Sequence, residues 1–411
     1  MTTEKGQDFN NKATVLTIIV AALGYFVDIY DLLLFGIVRI QSLKDMGVTD
    51  FATVGSRLLD YQMTGLLIGG IFWGVLGDKK GRLSVLFGSI LMYSLANIAN
   101  GYVTDLETYK ILRFIAGIGL AGELGAGITL VSEMMSKEKR AYGTSIVAGI
   151  GILGAVAAYF VSLIWAWRVA YIVGGCMGLA LLALRVSLHE SGFFKHLEQS
   201  NVQRGNFLAL FATKKLFLKY LWCTLVGFMI WFVIGIMVTL APEICANAFL
   251  MPEKIDNGKA IMYCYSGSAL GDFLSGFLSQ WMRSRRKALF VFLFISVISI
   301  IWYLMSDSQT SANLFYVKLA FVGFGVGYWA LFVSVASEHF GTNLRATVTT
   351  TVPNFARGFL VPVSMTYHYF KNAQGIFSTL IYIGVFCMLL AIIGIWNIEE
   401  TYGKDLDFVE E

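Results

Sequence analysis

Five ionisable side chains stand inside apolar stretches of this chain: Asp28, Asp31, Arg113, Glu123 and Arg357. Charge at membrane depth is expensive, so each asks for a use. Asp28 and Asp31 are three residues apart and share one helix face. Two carboxylates in a poorly solvated cavity do not both ionise cheaply, which is the property a proton carrier needs. The same pair also suits Na⁺, which stays open as the coupling ion. Arg113 is the natural counter-charge, because breaking and remaking an acid–arginine pair links protonation to movement. The bland alternative is a permanent bridge that pins one helix to another. Glu123 sits among Gly117, Gly119, Ala121, Gly122, Gly125 and Gly127, small residues that let helix backbones approach closely. It reads either as a proton site or as a carboxyl hydrogen-bonded between helices. Arg357 follows Asn354 and offers a fixed fork for a carboxylate; the alternative is a structural polar lock. His368, alone near the end of the same stretch, reads as an interface residue.

These residues need elements to hold them. The chain is 57% hydrophobic and 14% charged, with mean hydropathy +0.68, against roughly 25% charged in soluble domains. A membrane span needs about 20 apolar residues. Twelve stretches qualify: 13–38, 57–77, 83–100, 106–134, 141–163, 166–186, 217–246, 258–281, 287–305, 313–337, 346–370 and 375–397. The fold class is therefore an all-α polytopic membrane protein. The polar gap 187–216 divides it into 1–186, a first six-helix bundle, and 217–411, a second bundle with its tail. The even-numbered loops hold seventeen lysines and arginines and the odd-numbered loops nine. The basic loops face the cytoplasm, and so do both termini. Residues 1–12 are polar and carry no cleavable signal pattern, so the first helix is an anchor that stays.

Several chemistries are set aside. The five cysteines lie in or beside apolar segments with no metal or redox spacing and read as small apolar fillers. Gly149, Gly151 and Gly154 form a dinucleotide-like pattern, but inside a membrane segment with no preceding strand, so they read as helix packing. There is no P-loop, hence no ATP as the power source, and no cofactor is expected. The basic loops are too short and membrane-tied for nucleic acid.

The loop Gly74-Val75-Leu76-Gly77-Asp78-Lys79-Lys80-Gly81-Arg82 lies between the second and third apolar stretches. It resembles the G-x-x-x-D-[RK]-x-G-[RK] signature of the major facilitator superfamily. A weaker echo runs from Gly276 through Ser279 and Gln280 to Arg283, Arg285 and Arg286. Further resemblances are Asp28-Ile-Tyr-Asp31 with Phe35-Gly36, Arg113 to Glu123, Trp167-Arg168, Glu190-Ser191-Gly192-Phe193-Phe194, and Glu338-x-Phe340 to Arg345, Thr347 and Asn354. The family pattern has proline where Gly192 and Gly341 stand. The branch they resemble is the metabolite:proton symporters and their sugar-transporter-like relatives.

The resemblance implies twelve helices in two six-helix bundles, moving by rocker-switch alternating access. It implies that Asp78, Arg82, Glu133, Arg140, Glu190, Glu338 and Arg345 form charge networks closing the inner gate. Among aromatics of cavity-lining helices, Tyr25, Tyr30, Trp231, Tyr265, Tyr328 and Trp329 are candidates to touch substrate. The expectation is a secondary transporter that imports a small organic anion or zwitterion with protons. Asp31, with Asp28 or Glu123, would carry the proton and Arg113 would be the switch partner. Arg357, Asn354, Tyr30, Trp231 and Tyr328 would hold the substrate. An exporter of a metabolite, siderophore or drug is the runner-up, and a non-transporting sensor a third class. The expected setting is a bacterial inner membrane, as a monomer whose partners are substrate, protons and lipid.

Overall fold

The computed structural model describes residues 12–136, 140–184 and 204–410. These residues form helices and turns without a strand. The first three rods are α1 (Lys12–Asp45), α2 (Phe51–Lys80) and α3 (Arg82–Asn100). They continue with α4 (Leu106–Met134), α5 (Arg140–Ile152, resumed as Gly154–Ile164) and α6 (Trp167–Leu184). Then come α7 (Lys214–Val238, extended by Ala241–Asn247), α8 (Asn257–Trp281) and α9 (Arg285–Leu304). The last are α10 (Ala312–His339), α11 (Arg345–Gly358, resumed as Leu360–Gln374) and α12 (Ile376–Asn397).

Ten of these rods are long and apolar enough to cross a membrane. The other two are α8 and α11, and their sequences show why. α8 carries Asp272 and a run of serines; α11 carries Thr347, Thr349, Thr350, Thr351, Asn354 and Arg357 and breaks at Phe359. All of these α11 side chains are buried. A helix whose polar face is hidden in protein can afford less apolar surface than one bathed in lipid. Large apolar side chains are exposed around the outside of the rods, among them Phe72, Phe160, Phe277, Phe294, Phe321 and Phe386. With no water in a bilayer core, that outward apolar coat is the expected distribution.

Close packing falls into two similar sets. In one, α2 meets α4 so tightly that a Cβ on Gly65 would lie 2.2 Å from Phe114 O, and one on Gly117 2.2 Å from Gln62 O. In the other, α8 meets α10: a Cβ on Gly267 would lie 1.9 Å from Ala320 O, and one on Gly323 1.8 Å from Cys264 O. Only glycine permits such backbone contact. The sets meet along α2–α11, α5–α8, α4–α11 and α1–α8. Gly149, Gly151 and Gly154 of α5 serve packing: Cβ atoms there would strike Phe273, Tyr25 and Phe26 O.

Besides α5, which breaks at Leu153, four rods are interrupted near mid-length. α4 breaks at Ala121–Gly122, α10 at Val326–Tyr328 and α11 at Phe359, while α7 carries a π-helical turn over Val233–Val238. Interrupted helices at membrane depth are tolerated where the freed backbone lines a protein-enclosed site. π turns likewise mark functional positions.

Candidate functional site

The interruptions surround Arg357. Its guanidinium lies 5.3 Å from the Trp329 ring centre and 5.7 Å from that of Trp231. The two indoles meet edge to face at 6.1 Å. Arg357 Nη1 donates to Asn354 Oδ1 at 3.2 Å. Asn354 in turn donates to Ala121 O and Thr350 O, both at 2.8 Å, so the α4 break positions the arginine through one amide. Tyr25 of α1 has Arg357, Asp28 and Asp272 as its charged neighbours. Arg357 is 1% exposed and Trp231 3%. Among the described residues, Arg357 Nε and Trp231 Nε1 have no hydrogen-bond partner. Buried donors are normally satisfied. Here two sit in one cluster of indole rings beside a fixed positive charge. That arrangement suits a ligand that gives an anionic group to the guanidinium and a flat ring to the indoles.

A second cluster lies within the first helix set. Asp31 neighbours Arg113, Asp28 and Asn97. Arg113 Nη2 donates to Asn97 Oδ1 at 2.8 Å and its guanidinium lies 4.9 Å from the Tyr171 ring centre. Asp31 and Arg113 are electrostatic neighbours without a direct ion pair. The Asp31 carboxylate packs on Gly174 of α6, where a Cβ would stand 2.1 Å from Oδ1. Asp28 is a neighbour of both Asp31 and Tyr25. The acids thus form a line from the Arg357 site to Arg113. Glu123 is 1% exposed and opens the second segment of α4.

Both ends of the molecule are tied across the two sets. At the basic end, Asp78 accepts from Ala346 N at 3.0 Å and Thr347 N at 2.8 Å, the freed amides at the start of α11. Glu133 Oε1 accepts from Arg82 at 2.8 Å and Arg345 at 3.2 Å. Glu338 takes Arg285 bidentately, at 3.0 and 3.2 Å. The two pairs repeat one another: an arginine opening α3 or α9 grips a glutamate near the end of α4 or α10. One helical turn inward, Thr129 and Thr349 hydroxyls meet at 2.6 Å. At the opposite end, Arg39 of α1 pairs with Glu243 at 2.7 Å, and Asn257 of α8 donates to Gly36 O at 2.6 Å.

The structure brings Arg357, Asn354 and Trp231 together and places Tyr25 and Trp329 with them. Tyr30 lies elsewhere: its hydroxyl donates to Ala170 O at 2.8 Å, inside the α1–α6 packing. Tyr328 is spent on the α10 break, donating to Val226 O at 3.2 Å. Arg140 begins α5, but its side chain is outside the description, and Glu190 lies outside the described residues. Sequence reasoning missed Asp272. It is fully buried and its Oδ1 accepts from Ala330 N at 2.9 Å, capping the second segment of α10. It also missed the Arg39–Glu243 pair. A separate apolar cleft of about 600 Å³ lies between α11 and α12, lined by Phe359, Val363, Phe370, Tyr382 and Phe386. Its lining holds no acidic or basic side chain, and it lies apart from Arg357.

The sequence pattern of the Major Facilitator Superfamily matches residues 14–361. The chain belongs to this superfamily. It is 31% identical to a putative metabolite transport protein of Haemophilus influenzae, over 94% of this chain and 96% of that one. It is 26% identical to a putative niacin/nicotinamide transporter of Bacillus subtilis, over 90% and 94%. Among solved structures, the proton:xylose symporter XylE bound to 6-bromo-6-deoxy-D-glucose superposes with a TM-score of 0.76. It covers 97% of this chain and 98% of its own, at 14% identity. That likeness shows the fold of a facilitator. With its apolar rods and transporter relatives, this major facilitator is a multi-pass protein of the cell membrane, a transporter and not an enzyme.

Proposed function

We propose that this facilitator imports a small aromatic carboxylate together with protons, by alternating access. The observation that carries the reading is Arg357. A guanidinium beside two indoles, with an unpartnered Nε, pairs a carboxylate while one indole stacks on a ring and the other meets it edge-on. The relative named for niacin and nicotinamide, both flat pyridine rings, supports the aromatic half of this reading. Asn354 orients the guanidinium. Asp31, Asp28 and Arg113 carry the proton step: protonation of the acid line weakens its hold on Arg113 and frees the first helix set to rotate. Glu123 is the further proton candidate.

In this reading 1–186 and 217–411 are the two moving bundles, joined by the cytoplasmic segment 187–216, in a monomer with both termini inside. The basic end is the cytoplasmic gate, built by Asp78, Arg82, Glu133, Glu338 and Arg345 with Arg140 and Glu190. The test uses purified protein in liposomes with an inward proton gradient. Nicotinate, benzoate, a sugar acid and an amino acid are offered together. Accumulation of the aromatic acids that collapses with a protonophore is the expected result. Uptake only under the reversed gradient makes the protein an exporter, uptake driven by Na⁺ moves the coupling ion, and preference for the sugar acid removes the aromatic assignment.

A further inference from the structure

After α12 the chain does not leave the protein. Residues 398–410 fold back across the basic end and lie along the 340–345 loop between α10 and α11. Thr342 N donates to Phe408 O at 2.8 Å and Thr342 Oγ1 to Leu406 O at 3.2 Å. Asn343 and Glu410 exchange two bonds: Nδ2 to Glu410 O at 3.1 Å, and Glu410 N to Asn343 Oδ1 at 3.0 Å. Glu410 Oε1 pairs with Lys219 of α7 at 2.5 Å and accepts from Gly341 N at 3.3 Å. Upstream, Thr401 Oγ1 donates to Glu338 at 2.7 Å. Glu400 accepts from Ser284 and from the amides of Arg285 and Arg286 at the start of α9. Leu406 is 1% exposed.

The decisive contact is at Arg345, the residue that reaches across to Glu133. Arg345 Nη2 donates to Leu406 O, while Nη1 donates to Glu133 and Nε to Ser337 O. The segment therefore holds one arm of the guanidinium and aims the other at the opposite bundle. The same segment accounts for a departure in the sequence. Position 341 is glycine where the family pattern has proline. A Cβ on Gly341 would stand 2.5 Å from Glu410 N and 2.9 Å from Phe408 O. Proline would also remove the N–H that Glu410 accepts. Residue 341 and the segment fit only as they stand together.

We infer that residues 398–410 are a positioning strap: by fixing the 340–345 loop and Arg345 they allow the Arg345–Glu133 bridge to form, and without them the cytoplasmic gate loosens. Neither Leu406 nor Glu410 touches substrate. The inference rests on the alternating-access reading. The test therefore measures the gate without substrate or proton gradient.

The reporter is Thr349→Cys, at the Thr129 contact just inside the ion-pair layer, in a background with the five native cysteines replaced. Three versions are compared for maleimide labelling: the parent, a deletion of 402–411, and Gly341→Pro in the full chain. Glu133→Gln serves as the positive control for an opened gate, and Asp407→Asn, an exposed strap residue, as the negative one. A hydrogen bond to a charged group sustains about a tenfold bias. Labelling about tenfold faster or more is expected for the deletion and for Gly341→Pro, with Asp407→Asn at the parent rate. Adding a synthetic peptide of residues 398–411 to the deleted protein should slow labelling again, which a merely misfolded protein would not show. Parent-rate labelling of both strap variants beside fast labelling of Glu133→Gln overturns the strap and leaves alternating access standing. Parent-rate labelling of all variants, the control included, overturns both.

Discussion

Glu133 is the point where the closed cytoplasmic gate is most exposed to a single change. Its Oε1 serves Arg82 at 2.8 Å and Arg345 at 3.2 Å, and none of the three side chains reaches solvent. Glu133→Gln keeps the shape and removes the charge. Breaking a buried ion pair by removing one partner costs about 3–5 kcal/mol, because the other charge stays buried and uncompensated. Arg82 keeps Asp78 at 3.9 Å and Arg345 keeps two carbonyls, which sets the cost at the lower end, about 3 kcal/mol. The penalty falls on the closed gate alone, since opening returns both guanidiniums to water. At about 1.4 kcal/mol per decade, the equilibrium moves roughly a hundredfold toward the cytoplasm-open form. Maleimide labelling of Thr349→Cys reads that shift directly, as a rate rising by about two orders of magnitude. A rate within twofold of the parent would refute the bridge as the gate's main tie.

Three further outcomes follow from the same geometry. Asp31→Asn should keep substrate exchange across liposomes while abolishing accumulation driven by a proton gradient; retained accumulation would remove Asp31 from the proton path. Arg39→Gln breaks the opposite-end pair with Glu243, so Ile261→Cys, which packs on Gly36, should label faster from outside, and an unchanged rate would mean that pair does not close the outer face. Gly323→Ala places a methyl 1.8 Å from Cys264 O and should destabilise the α8–α10 contact by about 1–3 kcal/mol; an unchanged thermal unfolding midpoint in detergent would contradict that contact.

The legible parts of this protein were those with a strong, local physical signal. Apolar runs mark twelve stretches in the sequence, those of α8 and α11 among them although their buried polar faces dilute that signal. Asp78, Arg82 and Glu338 announced themselves by motif, and the structure places each in a cross-helix tie. Arg357 with Asn354 was legible because an arginine mid-span has few cheap explanations. Tyr30 and Tyr328 were harder, because an aromatic on a lining helix points inward or sideways according to a rotation no single sequence fixes. Tyr30 turned into the α1–α6 packing and Tyr328 onto the α7 backbone. Asp272 carries the same signal as Asp28, diluted by the serines and glycines around it. Its role as cap of an interrupted helix depends on α10, some sixty residues away. Residues 398–410 carry no local signal, since their contacts are backbone carbonyls and a few scattered polar side chains such as Glu400 and Glu410; the one trace is glycine at 341.

The proposed function depends most on Arg357 recognising a carboxylate beside Trp231 and Trp329. The direct measurement is equilibrium binding of benzoate and benzamide, an anion and a neutral molecule of the same shape, to purified wild type and to Arg357→Gln. Wild type should bind benzoate and discriminate against benzamide, and Arg357→Gln should lose the discrimination. Equal binding of the two by wild type, or discrimination surviving in Arg357→Gln, would contradict it.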